Sequence, residues 1–379
     1  YVDQTVFKNA NSWLKVVLGA KGMQSDLNTS PRYKAIVPFW LSTQFGDDAK
    51  VLQAVTQTLS ALTYTKENRP PLVDEVIGIC PYFEMRQDKD GGDERNRSVG
   101  ESIDAQSNAH ALNKFKKLVL MGPHSNEGVG FIKEEGIDVL TLTSAPIVAE
   151  HIKEHMFIRE GLSDAEKDKR IDPENTKIVA LDKGSLQQCL HLSKLLELNP
   201  ADSIIAFDKK RKGHNMIANS ALIYGDPKDI EGKDIIIYDD IIDTFDSMGK
   251  TCKSLKELYH CKSITVIATH GVLSYPARQN ILEALDPNGN GKKVVDRIIM
   301  TDTLPKAKYA FKGIEGVTIL KVGNILGRFG HLFADCDMDQ LVADDYLNQF
   351  ILDPVEKEKM WKYFKKNIEK KDKIQELLN

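Results

Sequence analysis

No stretch of the 379-residue chain is apolar for the roughly 18 consecutive residues that a membrane-crossing helix needs, so a place in a membrane is not expected. Excess positive charge is missing too: 51 Lys and Arg stand against 55 Asp and Glu, a net charge of −4. A chain with that balance lacks the field that gathers nucleic acid or an anionic bilayer, and neither is expected as a partner. Cysteine is scarce. Cys80, Cys189, Cys252, Cys261 and Cys336 are odd in number and never spaced C-x-x-C, so they read as reduced thiols rather than disulfides or a zinc site. The start shows no secretory-signal pattern, and a cytoplasmic location is expected, that of the host if a phage encodes the chain. What is present is ordinary for a globular protein: 41% hydrophobic and 28% charged residues, on a chain long enough for two domains and an appendage.

The most informative stretch is DIIIYDDIIDTFDSMGKT, residues 234–251. Ile235, Ile236 and Ile237 form the β-branched run of a strand buried on both faces of a parallel sheet. Acids follow where that strand is expected to end: Asp239, Asp240 and Asp243, then Thr244, Asp246, Ser247, Met248, Gly249, Lys250 and Thr251 leading into an amphipathic helix. A strand, a polar turn and a helix start make an anion site, because the first helical amides lack internal partners and the helix dipole is positive there. Carboxylates cannot serve that anion. They suit the other half of a sugar phosphate, accepting hydrogen bonds from vicinal ribose hydroxyls directly or through Mg2+. The bland alternative is a solvated acidic turn.

The same plan recurs along the chain. A strand is expected at residues 37–40 and a helix from Asp47, broken by Asn68, Arg69, Pro70 and Pro71. A second strand, Val76 to Cys80, leads into a loop carrying Arg86, Gln87, Asp88 and Lys89, which alone reads as a solvated charge run. A third, residues 117–122, delivers His124 beside Ser125 and Gly128, where either a ligand contact or a structural histidine is at home. Residues 160–176 read as a solvated connection with the domain boundary near its start. The second half repeats strand, acid and helix at Asp182, then strand and basic loop at Lys209, Lys210, Arg211 and Lys212. That loop reads equally as a solubilising turn or as a mobile cover for polyphosphate. His270 and the Thr301–Asp302–Thr303 run stand after two further strands. The last forty or so residues, with Met360, Trp361, Phe364, Ile368 and Ile374 at helical spacing, form an amphipathic helix.

Five of these loops together resemble the ribose-phosphate pyrophosphokinases. PYFEMRQDKD is similar to that family's ATP-contacting segment and implies Arg86, Gln87, Asp88 and Lys89 as ATP-binding residues. MGPHSNEGVGF implies His124 as the histidine of the ATP phosphates and Mg2+, and ALDKGSLQQC implies Asp182 as a second metal ligand. FDKKRK resembles the family's catalytic flexible loop, with Lys209 and Arg211 on the transferred diphosphate, and YDDIIDTFDSMGKT its ribose-phosphate loop. The resemblance spans roughly residues 75 to 305 in order. It implies an α/β fold of two phosphoribosyltransferase-like domains with mainly parallel sheets, expected at residues 1–160 and 161–335, plus a helical extension at 336–379. It further implies a homo-oligomer (dimer or hexamer), ATP as co-substrate with Mg2+, and transfer of the β,γ-diphosphate to a ribose anomeric hydroxyl with release of AMP.

The phosphate loop departs from the family's glycine-rich DTGGT, with Phe245 and Asp246 at the glycine positions. A carboxylate about 5 Å from a phosphate costs about 3 kcal/mol per unit of like charge at an effective dielectric of about 20, unless Lys250 or a metal offsets it. A ribose whose 5-phosphate is esterified suffers about half as much. The expected acceptor is therefore ADP-ribose, as in the similar ADP-ribose pyrophosphate synthetases of phage NAD+ reconstitution, giving ADP-ribose pyrophosphate. Ribose 5-phosphate, a phosphoribosyltransferase reaction and a catalytically silent regulatory homologue are the alternatives. Gly122, Ser185 and the Leu186–Gln187–Gln188 run also depart from the family pattern, mainly at metal and diphosphate contacts.

Overall fold

The structure is a computed structural model that describes residues 2–6, 12–16, 34–39, 73, 75–83, 104–158, 160–167, 170–181, 183–208, 221–286, 293–335 and 345–351. The chain forms two compact units, residues 1–142 with 324–348, and residues 143–323 with 349–379.

In the first unit, β1 (Val2–Val6) and β2 (Ser12–Val16) pair antiparallel. A separate four-stranded sheet runs β3 (Lys34–Pro38), β4 (Glu75–Cys80), β5 (Lys117–Met121) and β6 (Asp138–Leu142), in that order and all parallel. Side chains alternate across β4. Val76 and Cys80 enter a core with Leu112, Phe115, Leu118, Val129 and Ile132, so α1 (Asp104–Ala111) and α2 (Asn126–Glu134) flank this face. Gly78 lies under the stacked rings of Phe39 and Phe115, whose centroids are 5.1 Å apart; a methyl there would press on both rings and on Leu118. The helix expected from Asp47 lies outside the described residues.

The second unit holds a seven-stranded sheet. Its strands are β7 (Thr176–Ala180), β8 (Ile204–Asp208), β9 (Ala221–Tyr224), β10 (Asp234–Ile242), β11 (Ser263–Gly271), β12 (Arg297–Thr301) and β13 (Val317–Leu320). They lie in the order β13-β12-β11-β10-β7-β8-β9, and only the β8–β9 pair is antiparallel. The triple isoleucine sits at the sheet's centre, buried on both faces as its composition demands. Ile235 and Ile237 join one core with Val266, Ala268, Met248, Cys252 and Leu255, under α5 (Asp246–Glu257) and α6 (Ala277–Leu285). Ile236 and Tyr238 join the opposite core with Ile178, Ala180 and Ile267, under α3 (Ala145–His155) and α4 (Lys183–Leu195).

The packing groups residues 143–158 and 324–348 at other limits than the expected domains. Residues 143–158, assigned from sequence to the first domain, pack with the second unit: Ala145, Val148 and Ile152 share a core with Ile178, Leu186 and Leu190. After β12 comes the short helix α7 (Pro305–Ala310), and after β13 the chain returns to the first unit. In helix α8 (Gly323–Asp335), Gly330 lies so close to Ile79 that any side chain would collide with it, and the Lys117 ammonium donates to the Phe333 carbonyl at 2.9 Å. The helix covers the sheet face opposite the α1–α2 core, burying Ile77 and Ile79. Residues 352–379, where the terminal amphipathic helix is expected, lie outside the described residues.

Cys80, Cys189, Cys252 and Cys261 are buried thiols that form no disulfide among the described residues. Burial pushes the Cys261 thiol up to about 11 and raises Cys252 as well, which keeps both protonated and unreactive at neutral pH. No helix among the described residues is long and apolar enough to cross a membrane.

Candidate active site

The order of the second sheet reverses at its middle. From β7 the chain moves outward through β8 to β9, returns to β10 on the other side of β7, and then runs outward through β11 to β13. Ligands of open parallel sheets bind at such a switch point, outside the carboxyl ends of the strands. The β7–β10 pairing stops at Val179 and Ile237, while β10 continues alongside β11 as far as Ile242 and Gly271. Beyond Ile237 one edge of β10 is therefore released into a crevice. Asp239 and Asp240, expected past the strand's end, stand on its last turns instead, because β11 keeps them in the ladder through Ala268 and His270. Both acids are half-buried, and the Asp240 amide donates to the Asp239 carboxylate at 3.0 Å. A rigid strand thus presents two oxygen-rich side chains at the crevice mouth.

A buried hydroxyl network fixes the strand beneath them. The Tyr238 hydroxyl and Ser144 Oγ lie 2.9 Å apart, and Ser144 Oγ lies 2.9 Å from Thr269 Oγ1. Burial raises the Tyr238 pKa, so the phenol stays neutral and satisfied. Thr301 and Thr303 both donate to the Thr269 carbonyl, at 2.6 and 3.2 Å, and His270 Nδ1 meets Thr303 Oγ1 at 2.9 Å. His270, which sequence position put at a strand end, is buried inside β11 and belongs to this scaffold. Asp302 is likewise structural, accepting the Val322 amide at 2.9 Å.

The turn after β10 leads Asp243 and Thr244 to Phe245, which caps helix α5 with φ 65° and ψ 1°. That left-handed conformation costs an L-residue about 1–2 kcal/mol, and glycine adopts it freely. Phe245 holds it because its ring is 3% exposed, packed with Met248 and Cys252 and facing Gly249. It offers no side-chain bond to the helix start, so the first turn of α5 is left without a side-chain cap. The Asp246 amide reaches Thr244 Oγ1 only at 3.4 Å. Asp246 is paired with Lys250, one helical turn on, at 2.7 Å. Asp243, Ser247 and Lys250 are exposed and Thr244 and Gly249 half-buried. Met248 and Thr251 face the core, Thr251 being 1% exposed, so their side chains serve packing and only their backbone remains for a ligand. Asn280, which no local pattern singled out, donates from α6 to the Thr244 carbonyl at 2.9 Å and buttresses the turn.

In the first unit His124 follows β5 and stands half-exposed immediately before Ser125. Ser125 caps α2 by accepting the Gly128 amide at 3.1 Å. Arg86, Gln87, Asp88, Lys89, Asp182, Lys209 and Arg211 lie outside the described residues. Among the described residues no three His, Cys, Asp or Glu side chains form a ready metal cage. The donors present, two half-buried carboxylates on consecutive strand residues, are of the type that suits Mg2+, which binds through one or two carboxylates while keeping water and substrate phosphates as its other ligands.

A family model described as the phosphoribosyl synthetase-associated domain matches residues 222–326, which contain β10 and the turn after it. The chain is 26% identical over 291 residues to a ribose-phosphate pyrophosphokinase of Corynebacterium glutamicum, covering 75% of this chain and 77% of that one. It is 29% identical over 255 residues to the chloroplastic ribose-phosphate pyrophosphokinase 2 of Arabidopsis thaliana, covering 67% of this chain and 54% of that one. In fold it is similar to the crystal structure of phosphoribosylpyrophosphate synthetase from Mycobacterium smegmatis, with a TM-score of 0.62 at 19% identity, over 88% of this chain and 90% of that chain.

Proposed function

We propose that the chain, similar to ribose-phosphate pyrophosphokinases, is an ATP-dependent diphosphotransferase that moves the β,γ-diphosphate of ATP to the anomeric hydroxyl of a ribose compound. The observation that carries this reading is the crevice itself: Asp239 and Asp240 on a released strand edge, one turn before a helix start whose cap residue, Phe245, offers it no side-chain bond. The carboxylates accept hydrogen bonds from the vicinal hydroxyls, and the amides of the first α5 turn receive the phosphate on the 5-oxygen. With both ends fixed, the anomeric hydroxyl is held at one position, which is most of what phosphoryl transfer asks of a protein.

In the reaction the anomeric oxygen bonds to the β-phosphorus, the bond from that phosphorus to the α,β-bridging oxygen breaks, and AMP leaves. Arg86, Gln87, Asp88, Lys89 and His124 are proposed to hold ATP, and Lys209 and Arg211 to meet the charge of the migrating group. His124 and Asp182 would each offer a ligand to Mg2+, which would supply charge neutralisation of the phosphates. A cytoplasmic homo-oligomer, dimeric or hexameric, is the assembly this reading carries, and light scattering measures it.

For the acceptor we favour ADP-ribose, on the replacement of two family glycines by Phe245 and Asp246. Ribose 5-phosphate is the second reading, and a specific contact favours it: Lys250 already pairs with Asp246, which offsets the added negative charge beside a phosphate dianion. Both residues of the pair are about half exposed, so the offset is screened by water and salt. Incubation with MgATP and either sugar, followed by mass identification of the products, tests both levels. AMP and a sugar gaining two phosphoryl groups are expected, with ADP-ribose converted at the higher kcat/KM. AMP-free product would overturn diphosphate transfer, and preference for ribose 5-phosphate would overturn the acceptor.

A further inference from the structure

Tyr275 is the most exposed of the large hydrophobic side chains described, at 91%. A fully wetted aromatic ring on a rigid support forgoes the burial that normally stabilises it, and such rings are used where a flat partner arrives. Its support is rigid. Two residues before it the Leu273 amide donates to the Ile242 carbonyl at 3.0 Å, and five residues after it Asn280 holds the Thr244 carbonyl at 2.9 Å. The Lys306 ammonium also donates to the Leu273 carbonyl, at 2.5 Å, and Arg278 Nε to the Ala310 carbonyl at 3.0 Å. The segment bearing Tyr275 is thus clamped on both sides to residues 242–244, the turn that presents the phosphate-binding helix start. Two residues of backbone span at most about 7 Å, so the ring stands within a nucleotide's length of that turn.

Resting on the ADP-ribose reading, we propose that Tyr275 is the specificity residue for the acceptor's distal half, stacking against its adenine while the proximal phosphate occupies the first turn of α5. Tyrosine suits this use because it has two side-chain torsions to immobilise and a face that accepts any purine. Ribose 5-phosphate ends at its phosphate and never reaches the ring. The interaction is made equally in the ground and transition states, so it appears in KM and not in kcat.

Conversion of ADP-ribose by the wild-type protein, read from product mass, is established first. Failure there overturns the acceptor reading and this assignment with it. Given conversion, Tyr275→Ala is expected to raise the KM for ADP-ribose roughly tenfold or more, the usual effect of losing a base stack, with kcat and the KM for ATP unchanged. Kinetic constants for ribose 5-phosphate, wherever it is turned over, stay at wild-type values. Tyr275→Trp and Tyr275→Phe are expected to keep the low KM. Tyr309, 76% exposed on the neighbouring helix Pro305–Ala310, is the control, and Tyr309→Ala is expected to change nothing. An unchanged KM in Tyr275→Ala, equal changes for ADP-ribose and ATP, or transfer of the effect to Tyr309→Ala each overturns the assignment while leaving the acceptor intact.

Discussion

Two turns of this molecule share one architecture and differ in chemistry. In the first unit β5 ends at Met121, turns through Gly122 at φ 49° and enters α2; in the second β10 ends at Ile242, turns through Phe245 at φ 65° and enters α5. Both offer a helix start at the carboxyl end of a parallel strand. Ser125 satisfies the Gly128 amide in the first, whereas Phe245 supplies no side-chain cap in the second. A half-exposed histidine precedes the first helix and two half-buried carboxylates precede the other. The strand–turn–helix frame is therefore a common mount, and the residue at the cap together with those just before it decides what the mount receives.

The largest expected effect breaks the chemical half of that contrast. Replacing both acids, Asp239→Asn with Asp240→Asn, removes two charged acceptors and is expected to lower kcat/KM for the sugar more than about a hundredfold, each such hydrogen bond contributing about 1.5–3 kcal/mol. Thermal melting should be near wild type, since both side chains are only half-buried. Loss of folding instead would make the acids structural.

Phe245 tests how the second turn is held. Phe245→Gly forfeits about 3–5 kcal/mol of ring burial and recovers about 1–2 kcal/mol of left-handed strain, a net loss of about 1–4 kcal/mol by denaturant titration. Phe245→Ala loses the ring and keeps the strain, so it is expected to be the less stable of the two by about 1 kcal/mol. Equal stabilities would mean that the backbone, not the buried ring, sets the conformation.

Ser125→Ala sharpens the comparison from the other side. Losing a genuine helix cap costs about 1 kcal/mol, while Thr244→Ala, whose contact to the Asp246 amide is 3.4 Å long, should cost far less. The smallest effect is expected from Lys250→Met. It uncouples a half-exposed pair worth about 0.2–1 kcal/mol and should raise the KM for ribose 5-phosphate a few-fold, more than that for ADP-ribose. Equal changes for the two sugars would show that Asp246 is not felt at the phosphate.

Much of the second turn was legible in the sequence because its signals are local. The isoleucine run, the acids and the polar turn fall within eighteen residues, and a strand buried on both faces has few other spellings. The exact end of β10 was not legible, since its partner β11 carries it on through Ile242. The left-handed cap at Phe245 also escaped, because the ring that stabilises it is held by packing rather than by anything in the turn's own composition. Long-range placement was the least readable. Helix α8 returns to a sheet more than 200 residues earlier through Gly330 on Ile79 and Lys117 on Phe333, and α3 joins the second unit through contacts with α4. His270 looked like a strand-end residue only because sequence position cannot show that Thr303 waits beside it in the core.

The measurement closest to the central claim is amide chemical-shift mapping of the labelled protein on titration with ADP-ribose and with ribose 5-phosphate. The account predicts the largest shifts at Asp239, Asp240 and the first turn of α5, Asp246 to Gly249, for both sugars, with Tyr275 moving for ADP-ribose alone. Shifts centred on the start of α2 around Gly128, with α5 silent, would contradict it.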